Sequence, residues 1–311
     1  MGLQVVGIVC DWGAKQPGGA AGVQSWYALA QHYKHLAWLE AKHLWIAPTL
    51  AHPVWLGTGS HLYAHRLEYW VEFAREVEKA LESLDLTERL LFLTGDHSWA
   101  GIILPFLAAR VGDLGVIWLD AHADFHNPAT SPSGSLHGMP LAMATGLNTY
   151  RFHSIPKATW EIWESLVRQA IPPENLLMVG LRSYEPPELD ILQACGIRYF
   201  TAEAITRQGV EPVCEAIEAL RQRTRRLYVS LDVDVWDPSF ARGTGSPAPG
   251  GLSIAQLRLL LKDLLHWKET AFVEVTEINP LLDRENQTAL YAYGTIRPFI
   301  DGEGVADTSL E

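Results

Sequence analysis

Short apolar runs, separated by longer amphipathic stretches, recur along almost the whole chain. The runs at 3–9, 89–93, 116–119, 176–179, 198–200, 227–231 and 271–275 read as strands. Several carry no polar alternation, the pattern of strands buried on both faces of a parallel sheet. Between them, 65–84, 99–109, 159–170, 210–221 and 254–267 place apolar residues at helical spacing. Strand and helix in turn predict an α/β fold, a doubly wound parallel sheet with helices on both faces. No Pro/Gly/Ser linker divides the chain and no internal repeat is visible. Residues 1–300 therefore read as one domain and 301–311 as a loose acidic tail. The stretch 122–135 follows a buried strand without periodicity of its own, and loops of that length are usually functional or disordered.

Composition narrows the possibilities. With 311 residues, 48% hydrophobic and 19% charged, the chain is globular and not disordered, collagenous or coiled-coil. Its net charge of −12 repels phosphate backbones, which argues against nucleic acid and anionic membrane surfaces as partners. The one basic run, Arg221, Arg223, Arg225 and Arg226, reads as a solvated helix end. Cys10, Cys195 and Cys214 are too few and scattered for a disulfide framework or zinc ribbon, so a reducing compartment is expected. The apolar start at 5–9 lacks a basic flank and meets Asp11, which suits a first strand and not a signal peptide. No apolar run reaches the roughly 18 residues of a membrane helix. A soluble, cytoplasmic protein is expected.

The chemistry sits where strands are expected to end. Val116-Ile-Trp-Leu-Asp120-Ala-His122-Ala-Asp124 closes an apolar run with three ligand-type residues at alternating positions. In extended backbone these point to one face. Tyr228-Val-Ser-Leu-Asp232-Val-Asp234 repeats the device with two carboxylates, and Phe92-Leu-Thr-Gly-Asp96-His97-Ser98 follows a strand with a glycine turn and a histidine. In open α/β sheets ligands bind at the carboxyl ends of strands. A lone Asp-x-Asp there is more often a capping or turn device. Three such clusters are not explained that way, because the carboxylates of one cleft repel each other unless cations neutralise them. Two divalent metals supply that charge, and a carboxylate-rich N/O set without thiolate favours Mn over Zn. Gly243-Thr-Gly245-Ser-Pro-Ala248 is out of place for a dinucleotide fingerprint and is interrupted by Pro247. Asp232–Asp237 lacks the glycine and distal glutamate of a calcium loop.

The strings LTGDHS, DAHADFHNPATSPSGSLHGMPL, SLDVDVWDPSFARGTGSPAPGGL and EVTEINP closely resemble the ureohydrolase family of arginases, agmatinases and their relatives, with arginases nearest in these motifs. The resemblance runs from Gly7 to about Pro298. It implies an arginase-like three-layer sandwich and a hydrolase of linear amidines that releases urea and an amine. It implies two Mn ions per subunit, with Ni, Co or Zn as alternatives. His97, Asp120, Asp124 and Asp232 would hold one ion, and His122, Asp120, Asp232 and Asp234 the other. His137 matches the family's proton shuttle, and Glu277 matches the glutamate that pairs with the guanidinium. The implied nucleophile is a hydroxide bridging the metals, and the implied assembly is a homo-oligomer, a trimer or hexamer.

The substrate loops follow the same resemblance. His126, Ser133, Ser135, Glu185, Glu188 and Ser246 fall in the family's substrate-binding segments. Ser133 keeps the family residue and Glu188 its acid. His126 and Ser135 stand where arginases usually carry asparagines, Glu185 where they carry aspartate, and residues 11–26 depart from the family pattern. L-Arginine is the leading expected substrate, with His126 a cationic contact for its carboxylate. The alternatives are the agmatinase, guanidinobutyrase and formimidoylglutamase activities of the family. More remote are a deacetylase-like metalloenzyme, which would show a catalytic His-His pair, and a non-catalytic binding protein, which would have lost ligands.

Overall fold

Apolar runs that bury both faces need cover on both sides, and the chain supplies it. The computed structural model describes residues 2–33, 36–49, 63–147 and 155–302. In order these form β1 (Leu3–Ile8), α1 (Gly19–His32), α2 (Leu36–Glu40), β2 (Lys42–Ile46), α3 (Leu67–Leu81), β3 (Arg89–Thr94), α4 (Ala100–Val111), β4 (Leu114–Leu119), α5 (Pro140–Ala144), α6 (Lys157–Leu166), β5 (Leu176–Leu181), α7 (Pro186–Ala194), β6 (Arg198–Thr201), α8 (Ala202–Gln208), α9 (Glu211–Arg223), β7 (Arg226–Asp232), α10 (Ile254–Leu264), β8 (Thr270–Thr276) and α11 (Gln287–Asp301). Among the described residues the strands make one sheet, ordered β2-β1-β3-β8-β7-β4-β5-β6. Every pairing is parallel.

The pleat sends successive residues to opposite faces. Leu90 and Phe92 of β3, with Val116 and Trp118 of β4, join the core under α3, α4 and α6. Leu91 and Leu93, with Ile117 and Leu119, join the core under α1, α9, α10 and α11. This explains the unbroken apolar runs: neither face meets water. Tryptophans tie the first of these cores to the sheet's carboxyl edge. Trp70 stacks on Trp99 at 5.1 Å and donates from Nε1 to Ser98 Oγ at 2.8 Å, while Trp99 Nε1 donates to the Cys10 carbonyl.

All seven expected strands are present. The edge strand β2 was not expected, because Lys-His-Leu-Trp-Ile is half-exposed and lacks an apolar run. The expected helix at 65–84 is Leu67–Leu81, the one at 159–170 is Lys157–Leu166, and the one at 254–267 stops at Leu264. Asp301, expected in the tail, closes α11 and pairs with Arg297 at 3.2 Å; residues 303–311 lie outside the described residues. No helix among the described residues is long and apolar enough to cross a membrane.

Candidate metal centre and active site

The four central strands β3, β8, β7 and β4 end side by side, and each delivers acidic or imidazole side chains to one cleft. After β3, Asp96 caps a short turn by accepting from Ser98 N at 2.9 Å, and it also accepts from Gly13 N at 2.9 Å. That fixes His97 at the head of α4. Strand β4 stops at Leu119, and Asp124 takes a left-handed φ of 54°. Asp124 therefore joins Asp120 and His122 through a left-handed residue and not by strand alternation alone. His122 is bridged to Ser183 beyond β5, which holds this turn against its neighbour. After β7, Asp232 accepts from Asp234 N at 2.8 Å, and Asp234 accepts from Ala121 N at 3.1 Å.

Two donor groups result. His97 Nδ1 lies 3.1 Å from Asp120, 3.2 Å from Asp124 and 3.3 Å from Asp232. His122 Nδ1 lies 3.0 Å from Asp234 and 3.5 Å from Asp120. Asp120 faces the first group with Oδ2 and the second with Oδ1, as a bridging ligand does. His97 Nδ1 and Asp120 Oδ2 are buried without a hydrogen-bond partner, although three carboxylates crowd the imidazole. Buried polar atoms are rarely left so. His97 Nε2 lies 2.7 Å from Ser230 Oγ, which leaves Nδ1 aimed at the carboxylates. The arrangement fits divalent cations and no thiolate takes part.

Charge crowding points the same way. Burial pushes Asp124 up to about 7, with Asp120 beside it adding to the shift. Asp232 is pushed well above the carboxylate range by burial and by Asp234 and Asp120. Burial also raises Asp120, but His122 and His97 outweigh it and hold it well below its ordinary value. Carboxylates that resist ionisation when packed together accept a shared cation in place of protons.

Beside the metal-type groups stands a second pair. Glu277, buried and at a left-handed φ of 63°, accepts through Oε1 from His97 N at 3.0 Å and from His137 Nδ1 at 2.9 Å. Burial alone would lower His137, yet Glu277, Asp96 and Asp124 outweigh it and raise it above its usual 6.5. Gly245 faces the other carboxylate oxygen: a Cβ there would stand 3.9 Å from Oε2. The cleft encloses about 180 Å³, below the roughly 300–1,000 Å³ of sites for drug-sized ligands. It suits a small molecule.

The expected substrate residues are only partly gathered. His126, Ser133, Glu185, Glu188 and Ser246 line this cleft. Ser135 lines the adjoining depression instead and is 1% exposed; Gly134 at φ 71° turns the chain, and Ser135 N is tied to Ser133 Oγ at 3.2 Å. His126 is buried and turned to the acids, with Nε2 2.8 Å from Glu185 and 3.3 Å from Glu188. Glu188 accepts from Phe125 N and Glu185 N and with Glu185 forms the capping box of α7; burial pushes it up to about 8.

Several contributors were not found from sequence. Arg182 donates to the carbonyls of Gly180, Asp234, Val235, Trp236 and Ala248, clamping the turn that carries Asp234. Ser230 and Glu274 lie behind His97, and Lys15 lines the cleft mouth. Ser230 and Glu274 fall at ladder positions of apolar strands, where a polar residue in a two-sided core is itself a signal. Lys15 had no such signal.

The profile of the Arginase family matches residues 2–300. An arginase of Plasmodium berghei is 36% identical over 64% of this chain and 54% of its own length. One of Agrobacterium fabrum is 31% identical over 92% and 86%. The chain thus spans about half the length of the first of these relatives. The crystal structure of Entamoeba histolytica arginase in complex with L-ornithine superposes with a TM-score of 0.83 at 26% identity, over 96% of this chain and 97% of that one.

Proposed function

This chain belongs to the arginase family, and from that premise we propose that it hydrolyses the guanidino C–N bond of a small amino-acid substrate, L-arginine first, to urea and an amine. The observation that carries the reading is the double donor group around Asp120, with two orphaned buried atoms, set against the Glu277–His137 pair in one small cleft. His97, Asp120, Asp124 and Asp232 would hold one cation and His122, Asp120, Asp232 and Asp234 the other, with Mn favoured by the hardness of the donors. Bound there, the cations would lower the pKa of a water toward neutrality.

The chain's own residues do the rest. Glu277 presents Oε2 to the guanidinium in the space above Gly245, fixing its carbon over the donor groups and turning binding into near-attack geometry. Oε1 stays with His97 N–H and His137, so the glutamate is held from behind while it grips the substrate. Water oxygen adds to the guanidino carbon, the C–N bond to the amine breaks, and the departing nitrogen takes a proton. His137, held through Nδ1 by Glu277, which also raises its pKa, is placed to give it.

Urea release from a panel of guanidino compounds tests this. Chelation should abolish it and Mn restore it, with two ions per chain. His137→Asn should keep both ions while kcat falls by roughly 10²–10⁴. A fully active protein with one ion, or a His137→Asn variant that turns over normally, would overturn the mechanism.

A further inference from the structure

We propose that Lys15 reads the substrate's carboxylate at the mouth of the cleft, an assignment that rests on the guanidino-acid reading above. Sequence alone pointed to His126 for this task. In the structure His126 is committed elsewhere: Nε2 serves Glu185 and Glu188, and Nδ1 sits 3.2 Å from Thr130 Oγ1. Ser135 lies outside the cleft. A carboxylate entering past Glu185, which lines both the cleft and the depression outside it, meets repulsion unless a fixed cation stands near its path. Among the described residues lining the cleft, Lys15 is the one lysine or arginine. Its side chain is exposed and makes no ion pair with any described residue.

The backbone on both sides of Lys15 is built into the site. Gly13 donates to Asp96 and accepts from His137 N at 3.1 Å. The Arg66 guanidinium holds the carbonyls of Trp12 and Ala14. Gly18 N donates to Asp11 at 2.6 Å. The loop is therefore tied to the catalytic histidine on one side and anchored in the core on the other, while the lysine is left over the opening. Lys15, Ser133 and Glu185, with Pro132, line both the cleft and the adjoining depression, so a cation and a hydroxyl face the same outer space beside one carboxylate. A guanidinium at Glu277 and a carboxylate at Lys15 describe a short substrate with opposite charges at its ends. Agmatine, which lacks the carboxylate, leaves Lys15 without a partner.

Steady-state kinetics with L-arginine and agmatine on the Mn-loaded protein tests the assignment. Lys15→Gln should lower the arginine-to-agmatine ratio of kcat/KM about tenfold, the low end for a charge-assisted hydrogen bond because the rim is wet. The loss should fall on KM for arginine and not on kcat. Lys15→Arg should restore most of the ratio, and added salt should narrow it in the wild type more than in Lys15→Gln. A ratio that Lys15→Gln leaves alone, in a wild type that prefers arginine, overturns the assignment and spares the functional reading. A wild type that prefers agmatine, or releases urea from neither, overturns both.

Discussion

Glu274 brings a carboxylate into the middle of β8 with no exposure to solvent, held by three hydroxyls. Thr94 Oγ1 donates to Oε1 at 2.7 Å, and Tyr228 OH and Ser230 Oγ donate to Oε2 at 2.7 and 2.9 Å. Ser230 in turn accepts from His97, whose ring lies flat on Trp118 at 3.9 Å. The acid thereby fixes the hydroxyl, the hydroxyl fixes the imidazole tautomer, and Nδ1 is left to face the cleft. Outer partners of this kind typically cost about 10–100-fold in metal affinity when lost. Glu274→Gln replaces one acceptor with a donor and frees Ser230 to turn away, so affinity should drop by that order in a metal-buffered titration. Unaltered affinity would remove the positioning role and leave Glu274 a purely structural acid.

At the scale of elements, α1 decides where Glu277 stands. A Cβ on Gly22 would meet the Ile278 carbonyl oxygen at 1.9 Å, so the helix lies directly against the backbone that follows Glu277. Glu277 itself holds a left-handed φ, a conformation tolerated for such a residue only when its surroundings enforce it. Gly22→Ala should displace the 277–279 segment and lower kcat/KM tenfold or more while both metals stay bound. Overpacking should also cost about 1–3 kcal/mol of stability. Urea kinetics, metal analysis and a thermal melt on one preparation separate these effects. A variant with normal kinetics would show that α1 packs on Ile278 without setting the glutamate.

Across the whole molecule, the cleft links metal binding to folding and to pH. Asp124 is raised to about 7, and Asp232 and Asp234 are raised above their usual 3.8. An acid with a folded pKa above its unfolded one binds more protons in the native state, so its contribution falls as pH rises between the two values. His97 and His122, raised above 6.5 by facing carboxylates against the effect of burial, lose their contribution as pH rises further. The metal-free protein should therefore lose stability in this region from about pH 4 upward, whereas metal binding strengthens as ligands deprotonate. The gap in Tm between Mn-loaded and chelated protein should widen from pH 5 to pH 8. At a thousandfold excess over Kd the stabilisation is about 4 kcal/mol, on the order of 10 °C for a chain of this size. A gap independent of pH would show that the carboxylate cluster is not where the cations act.

Most of the sheet was legible because six strands are buried on both faces, and two-sided burial writes itself as an apolar run; β2 and β6, the half-exposed edges, carry a weaker mark, and of the two only β6 was expected. The donor clusters were legible because three groups of Asp and His, each at the end of an apolar run, exceed what capping and turns explain. Their convergence was only partly legible: Asp124 joins Asp120 and His122 through a left-handed φ, and a backbone dihedral is not readable from alternation. Nor was the partner of each group. His126 reads as a solvated or cationic loop residue, and only packing against α7 commits it to Glu185 and Glu188. Lys15 reads as an ordinary surface lysine in a Gly/Pro loop, and only the folding of that loop against His137 and Arg66 carries it to the cleft mouth. Local sequence determines which residues are buried and which types suit a cation, because burial and hardness are properties of single side chains. Which side chains meet across a distance of 60 or 140 positions depends on the order of strands in the sheet, and that is settled by tertiary packing alone.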